Sequence, residues 1–438
     1  MTKPGTKNKL GLWTSTSLVV GNMIGAGVFL MPAAMASFGS VGLLGWVFSA
    51  IGSFFLAKVF ANLSKLLPNA TGGPYAYSQS GLGDFAGFLM AWGYFISNCG
   101  GLAAIAISFV GALSTFFPML ATSSVAAVST ALGAVWLLTY INSLGVVTTG
   151  KVQLVTTILK ITPLLLIAIG GLFFIKPQYF SPFNSSGGSV LSAISTTAAM
   201  TMFSYMGIEC ATIPAGSVEN SGKTISRATL LGLFIAATVY ILGSVSVMGV
   251  IPAKTLEHSI TPYADAAVII YGSSARYWVS AGVAIAAFGA LNGWILVQGQ
   301  VPYAIAKDKL FPAAFGRLNK SGAPYVGIIA SSLLISVFIG MNYTKGLVEQ
   351  FKFLLLFSVL TSLVPFLFSM AAYPLIRARK NIRTGWAGAI VLAVFAFAYT
   401  LWMIGGTGQE AVFYGFMLLM LSIPFYIWLA YKKHKESA

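Results

Sequence analysis

Charge is what this chain has least of. Of 438 residues only 8% are Asp, Glu, Lys or Arg and 57% are hydrophobic, against about 25% charged residues in an ordinary soluble domain. Mean hydropathy is +0.85, and that composition excludes a conventional soluble fold. Acidic residues are scarcer still, nine in all, with two histidines and two cysteines. His258 and His434 stand alone and no Cys/His cluster occurs, so no metal site and no cofactor is expected. Cys99 and Cys210 both fall inside apolar segments, which argues against a structural disulfide across loops. No nucleophile–base pair stands within those segments, so the chain does not read as an enzyme. No ring of charges or repeated filter sequence suggests a channel.

Apolar runs, in contrast, are plentiful. Twelve segments stand out, roughly 12–37, 41–66, 83–115, 122–142, 150–174, 190–215, 224–251, 275–304, 323–341, 350–376, 385–404 and 411–431. Each suffices to cross a bilayer, which takes about 20 residues per helix. The fold class expected is therefore an all-α membrane protein with 12 transmembrane helices in one polytopic domain, 1–438. The net charge of +16 could suggest nucleic acid, but its placement does not. Eighteen Lys and Arg fall on the side of the N-terminus and four, Lys176, Lys254, Arg276 and Lys345, on the other; Lys58, Lys160 and Lys352 lie within segments. The positive-inside rule then places both termini in the cytoplasm, and the expected location is the cell inner (plasma) membrane. The basic N-terminus runs straight into a span too long for a signal core, so no cleavable signal peptide is expected.

The first segment carries Gly21-Asn22-Met23-Ile24-Gly25-Ala26-Gly27 at its centre. Glycine costs about 1 kcal/mol against alanine within a helix, and hydrocarbon tolerates freed backbone groups only where they face a cavity or a ligand. The sixth segment is interrupted too, at Phe203-Ser204-Tyr205-Met206-Gly207-Ile208-Glu209, with Pro214 and Gly216 beyond. Two broken spans at matching places in two halves point to an inverted-repeat transporter, though glycines also serve plain close packing of membrane helices. The halves would be about 10–175 and 188–378, with extra helices in 385–431. Stretches 67–82, 175–189, 252–274 and 305–322 read as the longer loops, with short interfacial helices at Tyr263–Tyr271 and Phe311–Leu318.

Ionisable residues inside a membrane are functional candidates by default, because burying them is costly. Glu209 lies midway along the sixth segment, where a carboxylate can bind an ammonium, exchange a proton, or brace neighbouring helices. Lys160, followed by Pro163, lies midway along the fifth. Its ammonium can donate to the carbonyls freed by the first break, either as a coupling or gating group or as a permanent cap. Lys58 and Lys352 sit near segment ends and can snorkel. Asn22, Asn98 and Asn292 are midspan amides, and Tyr94 and Ser97 share a helical face with Asn98. Trp294 is far from the interfacial belts, so it either walls a pocket or packs.

These motifs resemble the amino acid–polyamine–organocation (APC) superfamily of transporters. The likeness rests on Gly25-Ala26-Gly27, Gly72-Gly73-Pro74-Tyr75-Ala76-Tyr77, Gly207-Ile208-Glu209, Gly293-Trp294, Lys307-Asp308-Lys309-Leu310-Phe311-Pro312 and Leu363-Val364-Pro365. It runs from about residue 10 to 430 and is similar above all to bacterial arginine/agmatine and related basic amino acid/polyamine antiporters. The resemblance implies a LeuT-type 5+5 inverted repeat with broken helices 1 and 6, exchange of amino acids or their amines, and often a homodimer. Carried over by position, substrate contacts fall on Asn22, Gly25, Ala26, Gly27, Ser97, Asn98, Phe203, Met206, Gly207, Glu209, Trp294 and Ser358. Gating or coupling falls on Tyr94, Lys160, Phe203, Glu209 and Trp294. Ala26 replaces a small hydroxyl of those exchangers, Phe203 a gating tryptophan and Leu102 an amide, which weakens guanidinium recognition. Lys160 is similar instead to a lysine of amino acid carriers in which it occupies the place of Na⁺. The span 3–4 loop has no Cys for a disulfide-linked heavy subunit. The expectation is thus a Na⁺-independent amino acid antiporter, with proton-coupled symport or polyamine/amino acid exchange as the alternatives.

Overall fold

The computed structural model describes residues 9–259, 261–341, 347–407 and 409–435, and side chains throughout these except at 26, 97, 341, 347–357, 359, 410, 411 and 432–435. Among the described residues every regular element is helical. In chain order these are α1 Leu12–Met23, α2 Met31–Ala36, α3 Gly42–Leu66, α4 Pro74–Leu82, α5 Asp84–Leu113, α6 Met119–Thr122, α7 Ser124–Ser143, α8 Val146–Gly171 and α9 Val190–Tyr205. There follow α10 Ser221–Val250, α11 Ala253–Leu256, α12 Pro262–Tyr271, α13 Ala275–Lys307, α14 Tyr325–Met341, α15 Leu347–Arg379, α16 Trp386–Gly406, α17 Gln409–Leu421 and α18 Ile423–Lys435.

Nine stretches of described helix are long and apolar enough to cross a membrane. Of the segments left over, two are interrupted and one is the shorter apolar helix Tyr325–Gly340. The protein is a multi-pass membrane protein, and large apolar side chains such as Phe173 and Phe234 point outward where lipid would lie. Two local expectations need correction and a third is met. The stretch 67–82 contains α4, which starts at Pro74, a residue whose fixed φ suits the first helical turn. At 311–318 only a 3₁₀ turn, Ala313–Gly316, forms. The short helix expected over Tyr263–Tyr271 forms as α12, with Tyr263, Ala264, Ala266 and Ala267 buried and Ile269 and Tyr271 exposed.

Two large buried clusters hold the described residues together, with a small third one of Leu89, Met90 and Leu419 between α5 and α17. One large cluster gathers side chains of α1, α3, α9 and α10, and the other those of α5, α7, α13 and α14. Both broken helices belong to the first. The seam between the two large clusters is where the candidate site lies.

Candidate functional site

Helix α1 stops at Met23. Ile24 leaves the helical region (ψ 81°), Gly25 is extended (φ −101°, ψ −169°), and a 3₁₀ turn over Ala26–Phe29 leads into α2. A helix that ends in mid-membrane frees carbonyls, and here α8 supplies the donor. The ammonium of Lys160, wholly buried, donates to the carbonyl of Gly21 and to that of Ile24 at 2.6 Å. Gly21 must lack a side chain for α8 to come this close, since a Cβ would lie 2.7 Å from Thr157 Oγ1.

The second break follows Tyr205. Met206 is extended and Gly207 adopts φ +112°, a conformation that favours glycine. Glu209 closes this break locally: Oε2 accepts the Gly207 N–H at 3.0 Å, and Oε1 accepts the Tyr94 hydroxyl at 2.7 Å. The breaks also touch each other, because a Cβ on Gly207 would stand 3.1 Å from Asn22 Cβ and from Met23 N.

Beside this contact opens a narrow cavity of about 50 Å³. Asn22, Met23, Gly25, Gly27 and Val28 line it from the first break, and Phe203, Ser204 and Met206 from the second. Opposite stand Asn98, Leu102, Ile105 and Ser108 of α5, Trp294 of α13, and Ser358 and Ser362 of α15. The Asn22 side chain is 4% exposed, and neither its Oδ1 nor its Nδ2 has a hydrogen-bond partner among the described residues. A buried amide left unpaired costs several kcal/mol in an apolar medium, so it calls for a polar ligand. Asn98 Oδ1 accepts from Ser362 Oγ at 3.3 Å, while its Nδ2 has no described partner. Trp294 lies 6.4 Å from the Tyr94 ring, centroid to centroid. Gly27 gives Phe203 its place, since a Cβ there would meet the ring at 2.8 Å.

Of the residues expected to contact substrate, the structure therefore brings Asn22, Gly25, Gly27, Asn98, Phe203, Met206, Trp294 and Ser358 to one cavity. Gly207, Glu209 and Tyr94 stand behind that wall, bonded to one another. Lys160 stands behind the first break in the same way. The side chains of Ala26 and Ser97 lie outside those described.

The profile of a family described as amino acid permease matches residues 10–429. The chain belongs to the amino acid permease family. Among curated relatives, the permease is 32% identical to a cadaverine/lysine antiporter of Escherichia coli over 82% of either chain. It is 30% identical to an arginine/ornithine antiporter of Pseudomonas aeruginosa, over 98% of this chain and 92% of the relative. A putrescine transporter of Haemophilus influenzae is 28% identical, over 97% and 98% of the two chains. The permease is thus a membrane transporter, not an enzyme.

On the N-terminal side of the cavity hydrogen bonds join neighbouring segments. Leu10 pairs through its backbone with Ser217 and Glu219 at 2.8 and 3.0 Å, and Gly72 N–H donates to Ile213 O at 2.9 Å. The hydroxyl of Tyr75, on α4, donates to Asp308 Oδ2 at 2.6 Å, joining α4 to the end of α13. Arg379 on α15 donates to Ser80 O at 2.6 Å. Asn292 lies away from the cavity, tied to Asn142, Gln153 and the Thr149 carbonyl. Gln153 and Gln298 give no signal in the sequence, because a lone amide in an apolar run carries no periodicity of its own. Gln298 donates to Phe95 O at 2.7 Å and helps hold α13 to α5.

Proposed function

We propose that the permease is a Na⁺-independent amino acid exchanger that works by alternating access. The observation that carries this reading is the meeting of two interrupted helices at one cavity, with the unpaired amide of Asn22 in its wall. The 3₁₀ turn at Ala26–Phe29 starts at the cavity, and the opening N–H groups of a helical turn have no partner within it and carry positive dipole charge. They suit a substrate carboxylate. The C-terminal carbonyls of α9 carry the opposite sign and suit its ammonium. Asn98, Ser358 and Trp294 face the remaining space and meet the substrate side chain. Lys160 takes the carbonyls that an alkali cation would otherwise use, which supports Na⁺ independence.

In this reading the interrupted α1–α2 and α9 each count as one crossing, giving 12 spans, both termini cytoplasmic, and a 5+5 inverted repeat over about 10–175 and 188–378. The cavity then opens away from the cytoplasm, since its lining on α5 runs to Ser108, toward that helix's C-terminal end. The substrates named for the relatives suggest a basic amino acid exchanged for another, or for its amine. Proton symport is the second reading, favoured by Lys160 and Glu209, two ionisable groups fully buried beside the breaks. Proteoliposomes separate the two. Exchange predicts uptake of labelled arginine, lysine or ornithine only when unlabelled substrate is inside, with no response to Na⁺. Uptake into empty vesicles driven by a pH gradient would replace exchange with symport, and no uptake of any amino acid would end both readings.

A further inference from the structure

We propose that Gln153 is a positioning residue of the transport cycle. Through a head-to-tail chain of three buried amides it anchors the first half of broken helix α1 to α7 and α13, and so sets how readily the N-terminal side opens. The proposal rests on the exchanger reading above. Asn142 Nδ2, on α7, donates to Asn292 Oδ1 on α13 at 3.2 Å. Asn292 Nδ2 donates to Gln153 Oε1 on α8 at 3.0 Å, and Gln153 Nε2 donates to the Ser17 carbonyl of α1 at 3.5 Å. All three side chains are fully buried and none lines the cavity. Substrate binding therefore does not explain them.

Gln153, Thr157 and Lys160 occupy one face of α8, spaced i, i+4 and i+7. All three donate to α1: Gln153 and Thr157 to Ser17 O, Lys160 to Gly21 O and Ile24 O. Gln153 differs from its neighbours in having a side-chain partner on a third helix, so it alone of the three carries the position of α13 to α1. Glycine makes the approach possible, because a Cβ on Gly289 would meet Thr156 Oγ1 at 2.6 Å and one on Gly293 would meet Asn22 Cγ at 2.8 Å. Amides in series polarise one another, and no water in a membrane interior replaces a bond that breaks. At 3.5 Å the Gln153–Ser17 contact is the longest of the series. It is the link that parts when α1 tilts.

The test uses full-length protein in proteoliposomes, with Cys99→Ala so that Cys210 is the one thiol. Cys210 is 1% exposed in the 3₁₀ turn just past the second break, on the N-terminal side, and its alkylation rate reports opening there. Gln153→Met should speed alkylation roughly fivefold, the factor that one hydrogen bond of about 1 kcal/mol is worth. It should also raise the cavity-side KM for exchange without lowering the maximal rate, whereas general loosening lowers the rate. Asn292 keeps one N–H on the Thr149 carbonyl at 3.1 Å and loses the acceptor of the other, so the variant removes the Gln153 link without freeing the whole amide. Asn142→Leu, remote from α1, should speed alkylation about twofold, and the double variant should match Gln153→Met because the two act through one chain. If Gln153→Met does not assemble, Asn142→Leu decides alone. Parent-like alkylation in the variants, or effects that simply add, overturns the proposal. Alkylation of the parent that ignores amino acid overturns alternating access and this proposal together. Alkylation that responds to amino acid but ignores both amides overturns this proposal alone.

Discussion

The two helix breaks solve one problem in opposite ways. At the first, freed carbonyls of α1 are capped by a donor from another helix, Lys160 Nζ on α8. At the second, a freed N–H is capped by an acceptor from the same segment, the carboxyl of Glu209 two residues beyond Gly207, which also takes the Tyr94 hydroxyl. The first break thus holds its shape only while α8 stays in place. The second carries its cap with it. In the alternating-access reading proposed above, a break tied to another helix follows that helix when it moves, whereas a break capped from its own segment keeps its form. The difference predicts that the first break is where motion is controlled and the second is where the site keeps its shape.

The strongest way to break that comparison is to remove the foreign cap. Lys160→Met strands two buried carbonyls and should abolish exchange while lowering stability by about 3–5 kcal/mol, read as a large fall in the unfolding midpoint in detergent. Near-normal exchange would show that α1 holds its break unaided. Next is the contact between the breaks. Gly207→Ala forces a side chain into φ +112° and against Asn22, a strain of about 1–3 kcal/mol, and should cut exchange more than tenfold. Glu209→Gln should do less to stability, about 1 kcal/mol, because the amide oxygen can still accept the Gly207 N–H. Its larger effect should be on preference: binding of arginine or lysine should weaken relative to alanine or serine. Equal affinities before and after would confine Glu209 to bracing.

How much of this the sequence displays depends on range. Lys160 and Glu209 stand out because an ionisable residue in an apolar run is conspicuous, and the two glycine-rich interruptions mark both breaks to within a residue or two. Midspan position alone divides: Asn22, Asn98 and Trp294 line the cavity, whereas Asn292, equally midspan, is tied to other helices. Helix α4 is another matter. Its residues are not apolar enough to signal a span, and it is held through distant partners such as Asp308 and Ser369, whose hydroxyl donates to Pro74 O at 3.3 Å. Gln153 is equally silent: its importance lies in Asn292 and Ser17, each more than a hundred residues away in the chain. Local chemistry is visible in the sequence, whereas pairing across helices has no one-dimensional trace.

The smallest effect concerns the hydrogen bonds on the N-terminal side, where the comparison can be sharpened from outside the spans. Tyr75 is 2% exposed, and burial together with the Asp308 carboxylate beside it holds its phenol well above the usual tyrosine range. The hydroxyl therefore stays a donor through alkaline pH, and titrating it does not release the contact. Tyr75→Phe does, at a cost of about 1 kcal/mol for one hydrogen bond to a charged acceptor on an exposed helix end. That loss should speed Cys210 alkylation about twofold to fivefold while leaving cavity-side binding at parent affinity, because the bond lies far from Asn22 and Trp294. Combined with Gln153→Met, the effects should add, since the two bonds share no partner. An excess over additivity would mean that the α4 contact and the α1 anchor yield as one unit. The first break would then be controlled from α4 as well as from α8.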